Sequence, residues 1–495
     1  MDTWVIPGSP LEGGRGWRIW YSQPGSDPFT PKPVQVFRRG QPQIVLEQPW
    51  EALPLMPSLG RQVGVATVTL QAPVPGAMYQ VVVPEIGPQP FSWRTLPVSI
   101  DGTLEGAKVP GVSFLFASCF WFNADREGSY SSGVQDLTRL ADPSFKLLIG
   151  DQVYQDWPWA AEIEAPAEKR YADRYKEYWG DETYRALLQS SPNFLLADDH
   201  EFWNDYPERQ LQFAHTWTAD ERETYGKVAK SLYHYFQGSA SPGLPWQQFE
   251  IGKAKKDHHV HFFIADTRSE RTPIATDPPQ VPHFFSEQQW AALQDWVGSL
   301  DGPGILVLGQ PLYSHPGWWK DHTLPDFTKD HATLCTLLAQ SLRAGDGKLP
   351  HDILMLSGDI HIGRYTVGRI AGITPFNEVH ELVASAASRI APDMRTPTPQ
   401  APPSKVAVPS GPETIRFDVE MMMASGMPTL TNNIGVVSMS PGTAAPDTGQ
   451  PRVRFGLEIW QVRPYDTRHL LGRLFHRPKP MGQLTRIFAK ELQLR

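Results

Sequence analysis

Only two cysteines, Cys119 and Cys335, occur in 495 residues, which excludes a disulfide framework and a cysteine-rich zinc fold. Positive charge is not in excess either. Lys and Arg number 45 against 53 Asp and Glu, a formal net charge of −8, and no basic run is long enough to follow a phosphate backbone. Nucleic acid and anionic membrane surfaces are poor partners for such a chain. No apolar run approaches the roughly 18 residues that a membrane span needs. The first residues, Met1-Asp2-Thr3-Trp4-Val5-Ile6-Pro7, lack the basic and apolar stretches of an export signal. The expectation is a soluble, cytoplasmic chain with no partner protein implied. Gly-x-Ser-x-Gly, a Walker loop and His-Glu-x-x-His are all missing, which argues against serine hydrolysis and nucleotide-driven phosphoryl transfer.

What is present is proline: 48 residues, about twice the usual share, so long helical arrays are not expected. The length suggests two or three domains at about 150 residues each. Residues 1–108 carry short β-branched runs between Gly and Pro (Val34 to Phe37, Val63 to Leu70, Tyr79 to Val83), which predict a small N-terminal β-sandwich domain with no chemical cluster of its own. Residues 109–495 read differently. Short, wholly apolar runs at Val112 to Ala117, Phe145 to Ile149, Phe194 to Ala197, His261 to Ala265, Ile305 to Leu308 and Ile353 to Leu356 alternate with helix-like stretches at Ala161 to Leu188, Ala219 to Phe236, Ser286 to Leu300 and Asp330 to Leu342. Continuous apolar runs suit strands covered on both faces, so this part is expected to be a layered α/β domain. A Pro-rich stretch near 396–412 reads as a surface loop or lid. β-like runs come next at Gly435 to Met439 and Phe455 to Val462, and Leu484 to Leu492 reads as a terminal helix.

Ligands of open α/β sheets bind beyond the carboxyl ends of the strands, so the residues after each run matter most. They are Ser118-Cys119, Gly150-Asp151-Gln152-Val153-Tyr154-Gln155-Asp156, Asp198-Asp199-His200-Glu201 and Ser357-Gly358-Asp359-Ile360-His361. A thiol, a phenol, two imidazoles and several carboxylates converging on one rim are the donors of a metal site. Three carboxylates in four residues repel one another unless a cation or solvent compensates. Asp359-x-His361 puts two donors on one side of an extended segment. Cys335, inside Leu334 to Leu338, reads as a buried core residue. Asp257-His258-His259-Val260-His261 looks like a zinc tract but precedes its strand, and reads instead as an exposed strand start. His322 and His331 read as incidental. Seventeen tryptophans are present, and Trp157, Trp159 and Trp203 beside the motifs are expected to pack in the core or rim.

These motifs, in this order over roughly residues 110 to 390 and together with Asp266-Thr267-Arg268, resemble the PhoD-like (alkaline phosphatase D) branch of the calcineurin-like metallophosphoesterases. The N-terminal region ending near Ser92 to Pro97 is similar to that family too. The resemblance implies an α/β fold, a four-layer α/β/β/α sandwich behind the small N-terminal β-sandwich domain, with a dinuclear or larger metal cluster. It also implies that Asp151 bridges two metals, that Cys119, Tyr154 and His361 complete one site, and that Asp199 and Asp359 complete the other. Asp156 and Asn204 are further oxygen candidates. Thiolate and phenolate suit Fe(3+), and carboxylates suit Ca(2+), with other divalent metals as alternatives. The wider superfamily commonly has Asn and His where this chain has Asp199 and Asp359, which favours the mixed iron–calcium centre. Gly309-Gln310-Pro311 stands where some relatives place a different amide or imidazole.

The implied activity is metal-dependent hydrolysis of phosphate monoesters or diesters by a metal-bridging hydroxide. His200 would assist the leaving oxygen, and Arg268 and Arg364 would hold phosphoryl oxygens. The expected substrates are small-molecule, lipid or polymer phosphate esters. Two alternatives stand beside this: a phospholipase-like phosphodiesterase acting on lipid or polymer head groups, and a non-catalytic, cation-stabilised protein that binds glycan or lipid. Relatives of this kind are often exported, whereas the start of this chain carries no such signal.

Overall fold

The structure, a computed structural model, describes residues 3–25, 31–47, 50–101, 104–105, 110–125, 129–156, 166–211, 213–242, 245–252, 258–274, 279–317, 321–343, 350–372, 378–388, 401–423, 427–444, 449, 451–462 and 484–495. Among these described residues it is mixed α/β, with four sheets.

Two antiparallel sheets come from residues 4–94. One contains Trp4–Pro10, Gly16–Pro24, Arg61–Leu70, Val45–Glu47 and Trp50–Ala52; the other contains Gln41–Pro42, Gln35–Arg38, Met78–Val82 and Phe91–Arg94. Alternation along the strands divides their side chains. Val5, Trp17, Ile19, Tyr21, Tyr79, Val81 and Trp93 share one core. Trp4, Ile6, Trp20, Val63 and Val65 point the other way and join the apolar core that holds Trp179 and Phe236. The side-chain amides of Gln189 and Asn193 donate to Val5 O and Pro7 O, which ties strand Trp4–Pro10 to the start of strand Asn193–Leu196.

The other two sheets carry the motifs. The six-stranded sheet runs Asn193–Leu196, Phe145–Ile149, Val112–Ala117, Asn433–Pro441, Val453–Val462, Leu484–Leu494, with its first three strands parallel. The eight-stranded sheet runs Trp246–Ile251, Val260–Ala265, Gly304–Leu308, Ile353–Ser357, Glu378–Val383, Arg364–Ile370, Glu413–Met421, Lys405–Ser410. Four of its strands, Val260–Ala265, Gly304–Leu308, Ile353–Ser357 and Glu378–Val383, are parallel. Phe114, Phe116, Leu147, Ile149 and Leu196 meet Phe262, Ile264, Val307 and Leu356 in a core shared by the two sheets. The alternate residues Leu115, Leu148 and Leu195 pack with Val134, Leu137, Tyr171 and Leu187 of helices. Phe263, Leu306 and Met355 pack with Leu293, Trp296, Leu334 and Leu338. The parallel strands Val112–Ala117, Phe145–Ile149, Asn193–Leu196, Val260–Ala265, Gly304–Leu308 and Ile353–Ser357 are buried throughout, which explains why their sequences are so strongly apolar.

Several sequence readings change. Leu484 to Leu492 is not a helix: strand Leu484–Leu494 pairs antiparallel with Val453–Val462 and buries Phe488, Leu492 and Leu494. In the Pro-rich stretch, residues 396–400 lie outside the described residues, but Lys405–Ser410 and Glu413–Met421 are paired strands that turn at Gly411, whose φ is +60°. Pro409 is tolerated there because its strand is the outer one. The expected helix ending at Leu188 divides into Ala167–Gly180 and Glu182–Gln189. The break is at Asp181, whose carboxylate accepts the amides of Thr183 and Tyr184. Helix Ser129–Ala141 was not anticipated. Within the His tract, His259 and His261 are buried rather than exposed. Trp203 is buried, while Trp157 and Trp159 lie outside the described residues.

Candidate metal centre

The parallel strands of both sheets end toward one region. After their last residues the chain makes tight turns, and the turn residues hold one another. Cys119 N donates to Gly150 O at 3.2 Å, Ser118 N to Ala384 O at 3.3 Å and Gly358 N to Gly309 O at 3.0 Å. Cys119, Asp151, Asp359 and His361 have φ of +60°, +54°, +65° and +54°, a backbone region costly for non-glycine residues and concentrated at functional sites. Two glycines permit the approach. A Cβ on Gly150 would lie 2.4 Å from Asp198 Cβ, and one on Gly358 would lie 2.3 Å from Ser118 Oγ.

Glu201 fixes two of these turns together. Its buried carboxylate accepts the amides of Asp151 (2.8 Å), Gln152 (2.6 Å), Val153 (3.3 Å) and Asp198 (2.9 Å), and the side-chain amide of Gln237 (3.1 Å). Its place three residues after Asp198 is the spacing of a capping box, the one signal in the sequence that could have marked this role.

Asp151 lies at the middle of the donors. Its Oδ2 is 3.3 Å from Cys119 Sγ and 3.2 Å from the Tyr154 hydroxyl, which in turn is 3.4 Å from His361 Nε2. Its Oδ1 accepts the amide of His200 at 3.1 Å. Three groups of donor atoms lie within 4.8 Å of one another and all contain Asp151: with Cys119 and His361, with Asp199 and His200, and with Asp198, Asp199 and Asp359. Cys119 Sγ also meets the hydroxyls of Ser118 and Ser385 at 3.3 and 3.1 Å. Gln310 donates to Asp359 Oδ2 at 2.8 Å, and Asp205 N to Asp199 Oδ2 at 2.6 Å.

His200 Nδ1 pairs with Asp156 Oδ1, while Asp156 Oδ2 accepts the amide of Asn204. The Asn204 side chain donates to Asp321. The buried Arg268 guanidinium binds Asp198 through Nε and Tyr206 O through Nη1. Its Nη2 is buried without a hydrogen-bond partner. Arg364 is not drawn into this cluster: its Nη2 donates to Tyr313 O and faces Glu381.

Charge in this pocket is crowded. Burial pushes the Asp151 carboxyl well above its ordinary range. Burial likewise lifts Asp198 to about 7 and Asp359 to about 6, where the charge of Asp199 adds to the effect. Burial would raise Asp199 as well, but Arg268, His200 and the Asp205 amide hold it at about 2. Burial favours a neutral His200 ring, yet the charges of Asp156, Asp199 and Asp151 outweigh it and hold the group at about 10. The Cys119 thiol is pushed up by burial and then by Asp151 and Asp359. The donor set fits cations: carboxylates crowd one another, and Asp199 Oδ1 is buried with no hydrogen-bond partner.

Cys119, Asp151, Tyr154, Asp199, His200, Asp359 and His361 are thus brought together, with Arg268 behind Asp198 and Arg364 elsewhere. Sequence reasoning named Ser118 and Gln310 without giving either a place in the site, missed Ser385 and Arg271, and read His322 as incidental. The last two are tied to the rim, since Arg271 donates to Gln310 Oε1 and His322 pairs with Asp205 at 2.8 Å. Nothing in local sequence marks them.

No curated protein matches the chain. One solved structure, described as the structure of PhoD, matches with a TM-score of 0.53 and 15% identity, covering 93% of this chain and 91% of that one. The fold is therefore of that kind. Another, described as GAP50, the anchor in the inner membrane complex of Plasmodium, matches at 11% identity over 78% of this chain and 89% of that one, with a TM-score of 0.37. That is too distant to carry an argument. Residues 114–302 match the family model of PhoD-like phosphatases, and they span the Asp151 and Asp198 turns described above. Residues 114–302 are thus similar to PhoD-like phosphatases, the family that the motifs resemble.

Proposed function

We propose that this protein hydrolyses phosphate esters at a centre of two or more cations shared through Asp151. The observation that carries the reading is the common membership of Asp151 in the three donor groups of this pocket. Cys119, Tyr154 and His361 would hold one ion with it, and Asp199 and Asp359 another. A thiolate, a phenolate and an imidazole suit ferric iron, and carboxylates suit calcium. Cations held there supply Lewis acidity to the phosphoryl group and lower the cost of deprotonating a water. The buried thiol would lose its proton on ligation, so binding at this site should release protons.

The chain's own groups do the rest. Asp156 accepts from His200 Nδ1, which leaves Nε2 as the nitrogen that can give a proton to the departing ester oxygen. Ser118 and Ser385 hydroxyls steady the Cys119 sulfur. Arg268 offsets the charge of Asp198, and its Nη2 remains as a donor to a phosphoryl oxygen. Arg364, engaged by Tyr313 and Glu381, is not assigned to substrate. We read the architecture as a four-layer α/β/β/α sandwich spanning 109–495, preceded by an N-terminal β-sandwich domain over 1–108.

The test is turnover of p-nitrophenyl phosphate and of its bis ester by metal-loaded protein, before and after chelation, beside Asp151→Ala. Metal and activity should disappear together in the variant. A variant that keeps full metal content would contradict the shared role of Asp151. A wild-type protein that holds iron and calcium and cleaves neither ester would end the hydrolytic reading for these esters. Preference for the bis ester would place the enzyme among diesterases, including those acting on lipid or polymer head groups.

A further inference from the structure

The outer strand of the eight-stranded sheet, Trp246–Ile251, pairs antiparallel with Val260–Ala265, so that Glu250 stands opposite His261. Side chains alternate along a strand, which brings His259, two residues earlier, to the same face. The two imidazoles are 4.1 Å apart between ring centres. Two carboxylates flank them. On one side, Glu250 Oε2 is 3.3 Å from His259 Nε2 and Glu250 Oε1 is 3.4 Å from His261 Nδ1. On the other, Asp301 Oδ1 pairs with His259 Nδ1 and lies 2.8 Å from His261 Nε2. One ligand-type atom from each of Glu250, His259 and His261 lies within 4.8 Å of the other two.

A neutral imidazole has one N–H and one lone pair. In the tautomers that give both ring N–H groups to Asp301 Oδ1, which lies nearer His261 Nε2 (2.8 Å) than the Asp301 amide does (3.5 Å), the lone pairs of His259 Nε2 and His261 Nδ1 face the Glu250 carboxylate. Two ring lone pairs and a carboxylate then converge on one place. An independent observation agrees: His259 is 6% exposed, and its Nε2 has no hydrogen-bond partner. A carboxylate behind each metal-binding histidine, fixing its tautomer and ring plane, is the usual support of such sites.

We propose that Glu250, His259 and His261 bind one divalent transition-metal ion, of which zinc is the natural probe, with Asp301 as the positioning carboxylate. Two imidazoles and a carboxylate are a borderline-soft set suited to zinc, and three protein ligands leave a position for water or an exogenous ligand. Glu250, with 27% of its side chain exposed, is the accessible side. The supporting turn is locked in place. A Cβ on Gly302 would lie 2.0 Å from His259 O, and His261 N donates to Pro303 O at 3.1 Å. The site lies at the start of Val260–Ala265, whereas Asp266 and Arg268 come after the other end, a strand length of about 15 Å away at roughly 3.3 Å per residue. The ion would join the outer strand, its neighbour and the Asp301 turn independently of the Asp151 centre.

The experiment is equilibrium dialysis of the full chain against zinc, with metal content read by elemental analysis. The proteins compared are wild type, Glu250→Gln, the double variant His259→Gln/His261→Gln, Asp301→Asn and Asp151→Ala. Wild type and Asp151→Ala should share one zinc equivalent that both Glu250→Gln and the double variant lack, and Asp301→Asn should weaken it by about 10- to 100-fold. Cobalt in that site should give ligand-field absorption without a thiolate charge-transfer band, since none of the three ligands is a sulfur. If Glu250→Gln, folded by circular dichroism, binds as many zinc ions as wild type, the binding is adventitious and the proposal fails. It fails equally if Asp151→Ala loses that equivalent.

Discussion

Asp156 Oδ1 lies 2.7 Å from His200 Nδ1, and both side chains are buried beside the Asp151 turn. The pair sets the orientation of the ring, and on the proposed reading Nε2 is the nitrogen that serves the departing oxygen. His200→Ala is expected to keep metal content near wild type and to lower kcat by on the order of 10²-fold or more, the usual scale of general acid–base help. Asp156→Asn should lower kcat less while leaving KM nearly unchanged, because the ring stays but loses the carboxylate that orients it and favours its protonated form. Steady-state kinetics beside elemental analysis would check both. A His200→Ala protein with unchanged kcat would remove the imidazole from the reaction.

Gly358→Ala places a methyl group 2.3 Å from Ser118 Oγ. The expected outcome is a loss of about 1–3 kcal/mol in urea unfolding, as for other overpacked interiors, accompanied by weaker metal retention. Adding Ser118→Gly should recover part of the stability, which separates the steric cause from a general defect.

Glu201→Gln keeps the shape of the side chain but turns an amide toward several N–H donors. The unfolding free energy should fall by about 2–3 kcal/mol, the scale of hydrogen bonds to a charged group with their donors left unsatisfied. Activity should drop with it, measured as the fraction of protein able to retain metal.

His331, on helix Thr328–Ser341, is buried and held at about 4, because burial disfavours its charged form. Its ordinary value is 6.5, so the unfolded chain binds a proton there in the window between pH 6.5 and 4 that the folded protein does not. Stability is therefore full above pH 6.5 and is lost as pH falls through that window, by on the order of 3 kcal/mol at the acid end. His331→Gln should remove that part of the acid limb in denaturant midpoints measured from pH 7 to 4. An unchanged limb would refute the assignment.

The motif-bearing strands were legible because Val112–Ala117, Phe145–Ile149 and Ile353–Ser357 are covered on both faces and need apolar residues at every position. The turns after them were legible because carboxylates rarely cluster without a reason. Strand Leu484–Leu494 was not. Phe488 and Leu492 are four residues apart, a spacing that suits a helix face as well as one side of a strand, and only pairing with Val453–Val462 decides between them. Ser385 and the parts played by Gln310 and His322 escaped for a similar reason. A hydroxyl or amide becomes part of a site only when a distant turn brings it there, and no local pattern records the meeting. The outcome for His259 and His261 depended on Asp301 and Glu250, which arrive from either side in sequence.

One carboxylate, that of Glu201, closes the loops after two neighbouring strands. Neither loop can open alone without stranding amides that the other loop's geometry also depends upon. Assembly of the pocket is therefore expected to be all-or-none, and slow hydrogen exchange at Asp151, Gln152 and Asp198 should vanish in a single step rather than in sequence.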